Sequence, residues 1–133
     1  MMTQPVWVLM QTIISAHEET LAEHGGLTGI RDKGLLESAL ARPQNLVAYS
    51  EIAPSLQRLA AAYAYGIASC HPFADGNKRA ALIASLTFLR LKGLEVTANQ
   101  AERYRVFYDL AAGDMSEEEL TRWFMGNTTE HLR

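Results

Sequence analysis

Nine consecutive residues carry the side chains of this 133-residue chain best suited to chemistry: His71-Pro72-Phe73-Ala74-Asp75-Gly76-Asn77-Lys78-Arg79. A histidine with an ordinary pKa near 6.5 suits removal of a proton from a hydroxyl near neutral pH. Lys78 and Arg79 supply positive charge, the first as a point charge and the second as a fork that grips phosphate bidentately. Gly76 and Asn77 both tolerate left-handed backbone geometry and suit an anion-binding nest. Asp75 would be self-defeating in a bare anion site. It makes sense as a magnesium ligand, because magnesium favours a carboxylate together with phosphate oxygens. Phe73 is the one large apolar side chain of the loop and is expected to anchor it to the core. A base, a metal carboxylate and a phosphate cradle form the kit for moving part of a nucleotide onto a hydroxyl. Singly, each residue has a plainer reading: a capping or surface histidine, an Asp-Gly-Asn turn, a solvated Lys-Arg pair. Their order within one loop favours function.

The flanking segments must place that loop. Leu56, Leu59, Ala60, Tyr63, Ile67 and Cys70 share one helical face. Pro72 disfavours helical geometry in the residue before it, so that helix is expected to end at His71. A second helix is expected from near Asn77 to Lys92, with Leu82, Ile83, Leu86 and Leu89 inward and Gly93 as its stop. The loop then sits at a helix N-terminus, where unpaired backbone N–H groups and the positive end of the helix dipole favour an anion.

The rest of the chain reads as helical too. Met10, Ile14, His17 and Leu21 line one face of a helix that stops at Gly25-Gly26. His17 on that face reads as a satisfied core or groove histidine, and His24 and His131 as solvated. Asp32 is expected to cap a short helix through about Leu40, with Pro43 beyond its end. Leu94-Glu95-Val96 reads as a short extended link. Thr97 with Gln100, and Ser116 with Glu119, have capping-box spacing and open the last two helices. Tyr104, Phe107 and Tyr108 fit core packing better than base stacking. Cys70 reads as a small buried residue, and the tail after Gly126 as frayed. The one candidate for β structure is a hairpin over residues 25–31. The expectation is a compact all-α domain of about six helices, one domain over residues 1–133.

Composition narrows the function classes. The chain is 48% hydrophobic and 20% charged, which is ordinary for a globular protein. Its net charge is -3 with basic residues scattered, so direct nucleic-acid binding is not expected. The single cysteine allows no internal disulfide and fits a reducing compartment. The first Lys or Arg is Arg31 and the apolar run from Val6 to Met10 is short, so neither a signal peptide nor a membrane span is expected. These readings point to a cytoplasmic protein.

The loop from His71 to Arg79 resembles the Fic/Doc motif, His-x-Phe-x-(Asp/Glu)-(Gly/Ala)-Asn-(Gly/Lys)-Arg, at every defining position. The stretches Gly25-Gly26-Leu27-Thr28-Gly29-Ile30-Arg31-Asp32 and Gly34-Leu35-Leu36-Glu37-Ser38-Ala39-Leu40-Ala41-Arg42-Pro43 are similar to the death-on-curing branch. The resemblance implies the α-helical Fic fold with a small β-hairpin flap. It implies His71 as the general base, Asp75 as the Mg2+ ligand, and Gly76, Asn77, Lys78 and Arg79 as binders of the phosphates of ATP. It also implies that Gly26, Leu27, Thr28, Gly29, Ile30 and Arg31 form a flap holding the target by strand addition. Fic adenylyltransferases carry Gly-Asn-Gly-Arg and a second arginine three positions on, where this chain has Lys78 and Leu82. Both departures resemble the death-on-curing toxins and imply phosphate transfer to a hydroxyl of a translation protein, elongation factor Tu. Transfer of AMP and translation block by binding alone are the alternatives. Ser15 and Glu19 approach the self-inhibitory motif of Fic proteins, but Thr20 follows, so the resemblance implies control by a separate antitoxin of the Phd type.

Overall fold

A computed structural model describes residues 7–130; the readings made for Val6 and His131 lie outside them. Six helices and two short strands follow in order: α1 (Met10–His24), α2 (Lys33–Tyr49), α3 (Leu56–Cys70), α4 (Asn77–Leu91), β1 (Leu94–Val96), α5 (Gln100–Ala112), α6 (Glu117–Gly126) and β2 (Thr128–Glu130). The all-α expectation holds, with a small antiparallel sheet at one edge.

Helix α3 is the axis of the bundle and touches α2, α4, α5 and α6. Its alanine-rich sequence explains that position. Leu59 to Ala64 and Gly66 to Ala68 are buried in an almost unbroken run, so small side chains face neighbours on most sides. A Cβ at Gly66 would lie 3.2 Å from the Ala39 backbone, which shows how closely α2 and α3 cross. Tyr63 and Phe88 bring α3 and α4 together with ring centroids 5.3 Å apart. Burial of such side chains contributes about 1.5–3 kcal/mol each. Glu117 at the head of α6 binds Arg42 of α2 and Arg58 of α3, so one carboxylate ties three helices.

Several boundaries follow from local chemistry. Asp32 caps α2 by accepting from the Leu35 N–H at 3.0 Å. Ser116 and Glu119 form the reciprocal capping box that opens α6. Three expectations need correction. Helix α2 does not stop before Pro43 but runs on to Tyr49 with that proline buried inside it. Leu46 and Val47 in the added turns pack against the core, so tertiary contact overrides the local cost of proline. The cap of α5 is Asn99, which accepts from the Glu102 N–H at 2.8 Å. Thr97 instead donates its N–H to the Asn127 carbonyl at 2.7 Å. That bond extends the pairing of β1 with β2, in which Val96 faces Thr128 and Leu94 faces Glu130. The link at residues 94–96 and the tail after Gly126 therefore stabilise each other.

The β structure expected over residues 25–31 takes another form. The segment does not fold back on itself. It lies exposed beside the loop that follows α3, with a single antiparallel bridge between Ile30 and Phe73. The Arg31 N–H donates to the Pro72 carbonyl at 2.7 Å and the Ala74 N–H to the Gly29 carbonyl at 3.0 Å, bracketing that pair.

Candidate active site

The loop over residues 71–76 is fixed from four directions. At its start, His71 closes α3 in the left-handed conformation, φ 50° and ψ 58°. Phe73 plunges into the core and is 1% exposed. At its end Asn77, the first residue of α4, accepts from the Phe73 N–H at 3.0 Å through Oδ1 and donates to the Phe73 carbonyl at 3.1 Å through Nδ2. From outside, Arg31 donates to the carbonyls of His71 and Cys70 at 2.7 and 2.8 Å. Cys70 is half-buried beside them.

Beyond these four, a further constraint is His17 of α1. It is 2% exposed, and its ring stacks on Phe73 with centroids 3.9 Å apart. Nε2 lies 2.6 Å from the Asp75 carbonyl. A carbonyl only accepts, so the ring proton sits on Nε2. Gly76 passes directly under this ring: a Cβ there would meet Nε2 at 3.0 Å. Gly76 also has φ 75°, which an L side chain adopts only under strain. The core-histidine reading of His17 is correct as to burial, but its partner is the loop itself. A histidine on an apolar helix face was the only sequence signal for this role.

The start of α4 presents what an anion needs. No side chain caps Gly76, and α4's first intrahelical bond is the Ala80 N–H to the Gly76 carbonyl. The N–H groups of Asn77, Lys78 and Arg79 therefore have no helical partner. Asp75, Gly76, Lys78 and Arg79 together line a cleft of about 570 Å³. Its far wall comes from α5 through Gln100, Arg103, Tyr104 and Phe107. Lys78 reaches toward that wall: Nζ sits 5.2 Å from the ring centre of Tyr104 and 4.7 Å from that of Tyr108. Those two tyrosines are 58% and 54% exposed, so the core-packing expectation holds for Phe107 and fails for them. A solvated phenol beside an ammonium is stabilised by the ring's negative face, and helical spacing alone does not separate that from burial.

The expected site residues divide as follows. Asp75, Gly76, Lys78 and Arg79 line one cleft, whereas the Asn77 side chain is engaged by Phe73 and leaves only its N–H without a helical partner. The Asp75 carboxylate accepts from the Leu27 N–H at 3.2 Å and the Gly76 N–H at 2.8 Å, one bond per oxygen. His71 is exposed and lines a neighbouring cleft with Tyr65, Ser69, Asp114 and Glu119 rather than the one that Asp75 lines. Its ring makes no hydrogen bond among the described residues. Of the flap, Leu27, Gly29, Ile30 and Arg31 are tied to the loop, while Gly26 lies so close that a Cβ would stand 2.9 Å from Asp75 Oδ2. Thr28 is exposed.

A single carboxylate with one lone pair left on each oxygen fits magnesium that arrives with phosphate, since magnesium keeps waters and takes few protein ligands. It does not fit a free-standing metal site. Among the described residues no group of three His, Cys, Asp or Glu side chains is placed to hold an ion. No helix of the described residues is long and apolar enough to cross a membrane.

Comparison with known proteins identifies a family. Residues 7–89 match the model of the Fic/DOC family. The chain is 40% identical over 86 residues to "Protein kinase doc" of Escherichia phage P1, covering 65% of this chain and 68% of that protein. It is 43% identical over 75 residues to "Toxin Doc" of Mycolicibacterium smegmatis, covering 56% of this chain and 58% of that protein.

Proposed function

The chain belongs to the Fic/DOC family, of Doc type, and from that premise we propose that it is a toxin transferring the terminal phosphate of ATP to a Ser or Thr hydroxyl of a translation protein, elongation factor Tu first among candidates. The observation that carries this reading is the head of α4. Free first-turn N–H groups, Lys78, Arg79 and the Asp75 carboxylate face one cleft. Lysine stands where a glycine would leave room, and Leu82 where a second arginine would clamp phosphate. One relative is itself named a protein kinase.

In the proposed reaction the target hydroxyl oxygen bonds to the terminal phosphorus. The bond from that phosphorus to its bridging oxygen breaks, ADP leaves, and His71 takes the hydroxyl proton. The cradle N–H groups, Lys78 and Arg79 hold the phosphates in line. Asp75 would hold magnesium, which offsets phosphate charge when bound. His71 must turn about its Cα–Cβ bond from the neighbouring cleft, and its exposed, unbonded ring loses no hydrogen bond in doing so. The 25–31 segment, with one side tied to the loop, offers its other side to an extended target strand. Such an enzyme works in the cytoplasm and is restrained by an antitoxin of the Phd type, whose tail folds on binding.

Intact-mass analysis of elongation factor Tu after incubation with ATP, magnesium and this protein tests the reading. A single phosphate-sized gain, absent with His71→Ala, is expected. No gain on a competent target overturns it.

A further inference from the structure

The wall of the cleft opposite the cradle belongs to α5, beyond the residues 7–89 that match the family model. Among the residues that this wall contributes, Arg103 stands out. Its Nε is shut off from solvent and has no hydrogen-bond partner. Its guanidinium forms no ion pair with any described residue. A guanidinium that lines a cleft without a carboxylate partner can take an anion from that cleft. The α4 wall offers none: past its first turn it presents Leu82 and Ile83 to the cleft. Lys78 is drawn aside onto Tyr104 and Tyr108. The remaining charges on the cleft are Arg79, the Asp75 carboxylate and His24 at the C-terminal end of α1. An anion that runs from the α4 head along the cleft therefore passes from fixed N–H groups and Arg79 toward Arg103.

We propose that Arg103 is a phosphate-binding residue of the nucleotide site, gripping from α5 the part of the polyphosphate that extends away from the α4 N-terminus. The proposal rests on the nucleotide reading of the cleft and adds a residue and a second helix to it. It also gives α5 a role in binding, since that helix carries one wall of the cleft. Arg103 lies at the divide with a smaller groove lined by Arg90, Glu95 and Val96. The competing role is therefore structural, a brace between α5 and β1.

Calorimetric titration separates the two roles. The wild-type protein, Arg103→Met and Arg103→Lys are each titrated with magnesium ATP and with adenosine. A charge-assisted contact predicts a loss of about 10- to 100-fold in ATP affinity for Arg103→Met. Adenosine binding is expected to be unchanged and the loss for Arg103→Lys smaller, because lysine keeps the charge without the fork. The salt dependence of ATP binding should fall with Arg103→Met. Equal ATP affinity in the wild type and Arg103→Met overturns the proposal, as does an equal loss for ATP and adenosine. Should Arg103→Met fail to fold, Arg103→Lys decides by the same comparison. If the wild type binds neither ligand, the nucleotide reading itself falls. If it binds both and Arg103→Met matches it, only the Arg103 assignment falls.

Discussion

Replacing Gly76 by alanine probes how rigidly His17 holds the loop. Two costs are separable. The backbone at Gly76 has φ 75° and ψ 24°, where an L residue costs about 1–2 kcal/mol. The added Cβ would stand 3.0 Å from His17 Nε2 and 3.4 Å from Cδ2. His17 has nowhere to retreat. It is 2% exposed, bonded at 2.6 Å to the Asp75 carbonyl, and stacked on Phe73, itself buried. Overpacking of this kind costs about 1–3 kcal/mol. Gly76→Ala should therefore lose about 2–5 kcal/mol, a large share of the roughly 5–15 kcal/mol that holds a domain folded. Gly113 is the control, because φ 85° and ψ 9° give it the same backbone strain while a Cβ there meets nothing within 4 Å. Urea unfolding of both variants should place Gly76→Ala about 1–3 kcal/mol below Gly113→Ala. In a His17→Ala background that difference should vanish. Equal losses for the two glycine variants would refute the rigid His17 support.

Asn77→Ala strips two bonds from the Phe73 backbone and should cost about 2–3 kcal/mol by urea unfolding, since both backbone groups lose their partner. Ser116→Ala removes the α6 cap and should cost about 1 kcal/mol in the same assay. The Ser116 backbone and hydroxyl hydrogen bonds hold the Glu119 carboxyl below its usual range. Its contribution is thus present above the unfolded glutamate pKa and lost as pH falls through the lower folded value. Glu119→Gln should flatten that acid-side loss in urea unfolding followed against pH. Burial raises the Tyr63 phenol above its ordinary 10.0, partly offset by the Val8 N–H bond. Stability from this group is full below that ordinary value and falls as pH climbs through the raised one. Tyr63→Phe should remove the alkaline loss in thermal melts against pH.

The helices and the loop were legible because they rest on local chemistry. Alanine and leucine periodicity marks α3 and α4, and Pro72 with Gly76 marks the break between them. Errors arose where a distant partner decides. Pro43 stays helical because the turns beyond it pack on the core, and Asn99 displaces Thr97 as a cap because Thr97 is claimed by Asn127. Residues 25–31 looked like a hairpin in isolation, yet Ile30 and Phe73 pair across more than forty positions of sequence. Within the site, residue types singled out Asp75, Gly76, Lys78 and Arg79, which line one cleft, but not that Asn77 turns its side chain to Phe73 or that Lys78 rests on two tyrosines. Arg103 carries no sequence signal. Only the packing of α5 across the cleft brings it near the α4 head.

Transfer of label from ATP tests the central claim most directly. The protein is incubated with magnesium, its target and ATP labelled at either the α or the γ phosphorus. The account predicts that the target gains only the γ label and that Lys78→Gly weakens the transfer. Appearance of the α label on the target would contradict it, because the cradle would then be passing on a nucleotidyl group.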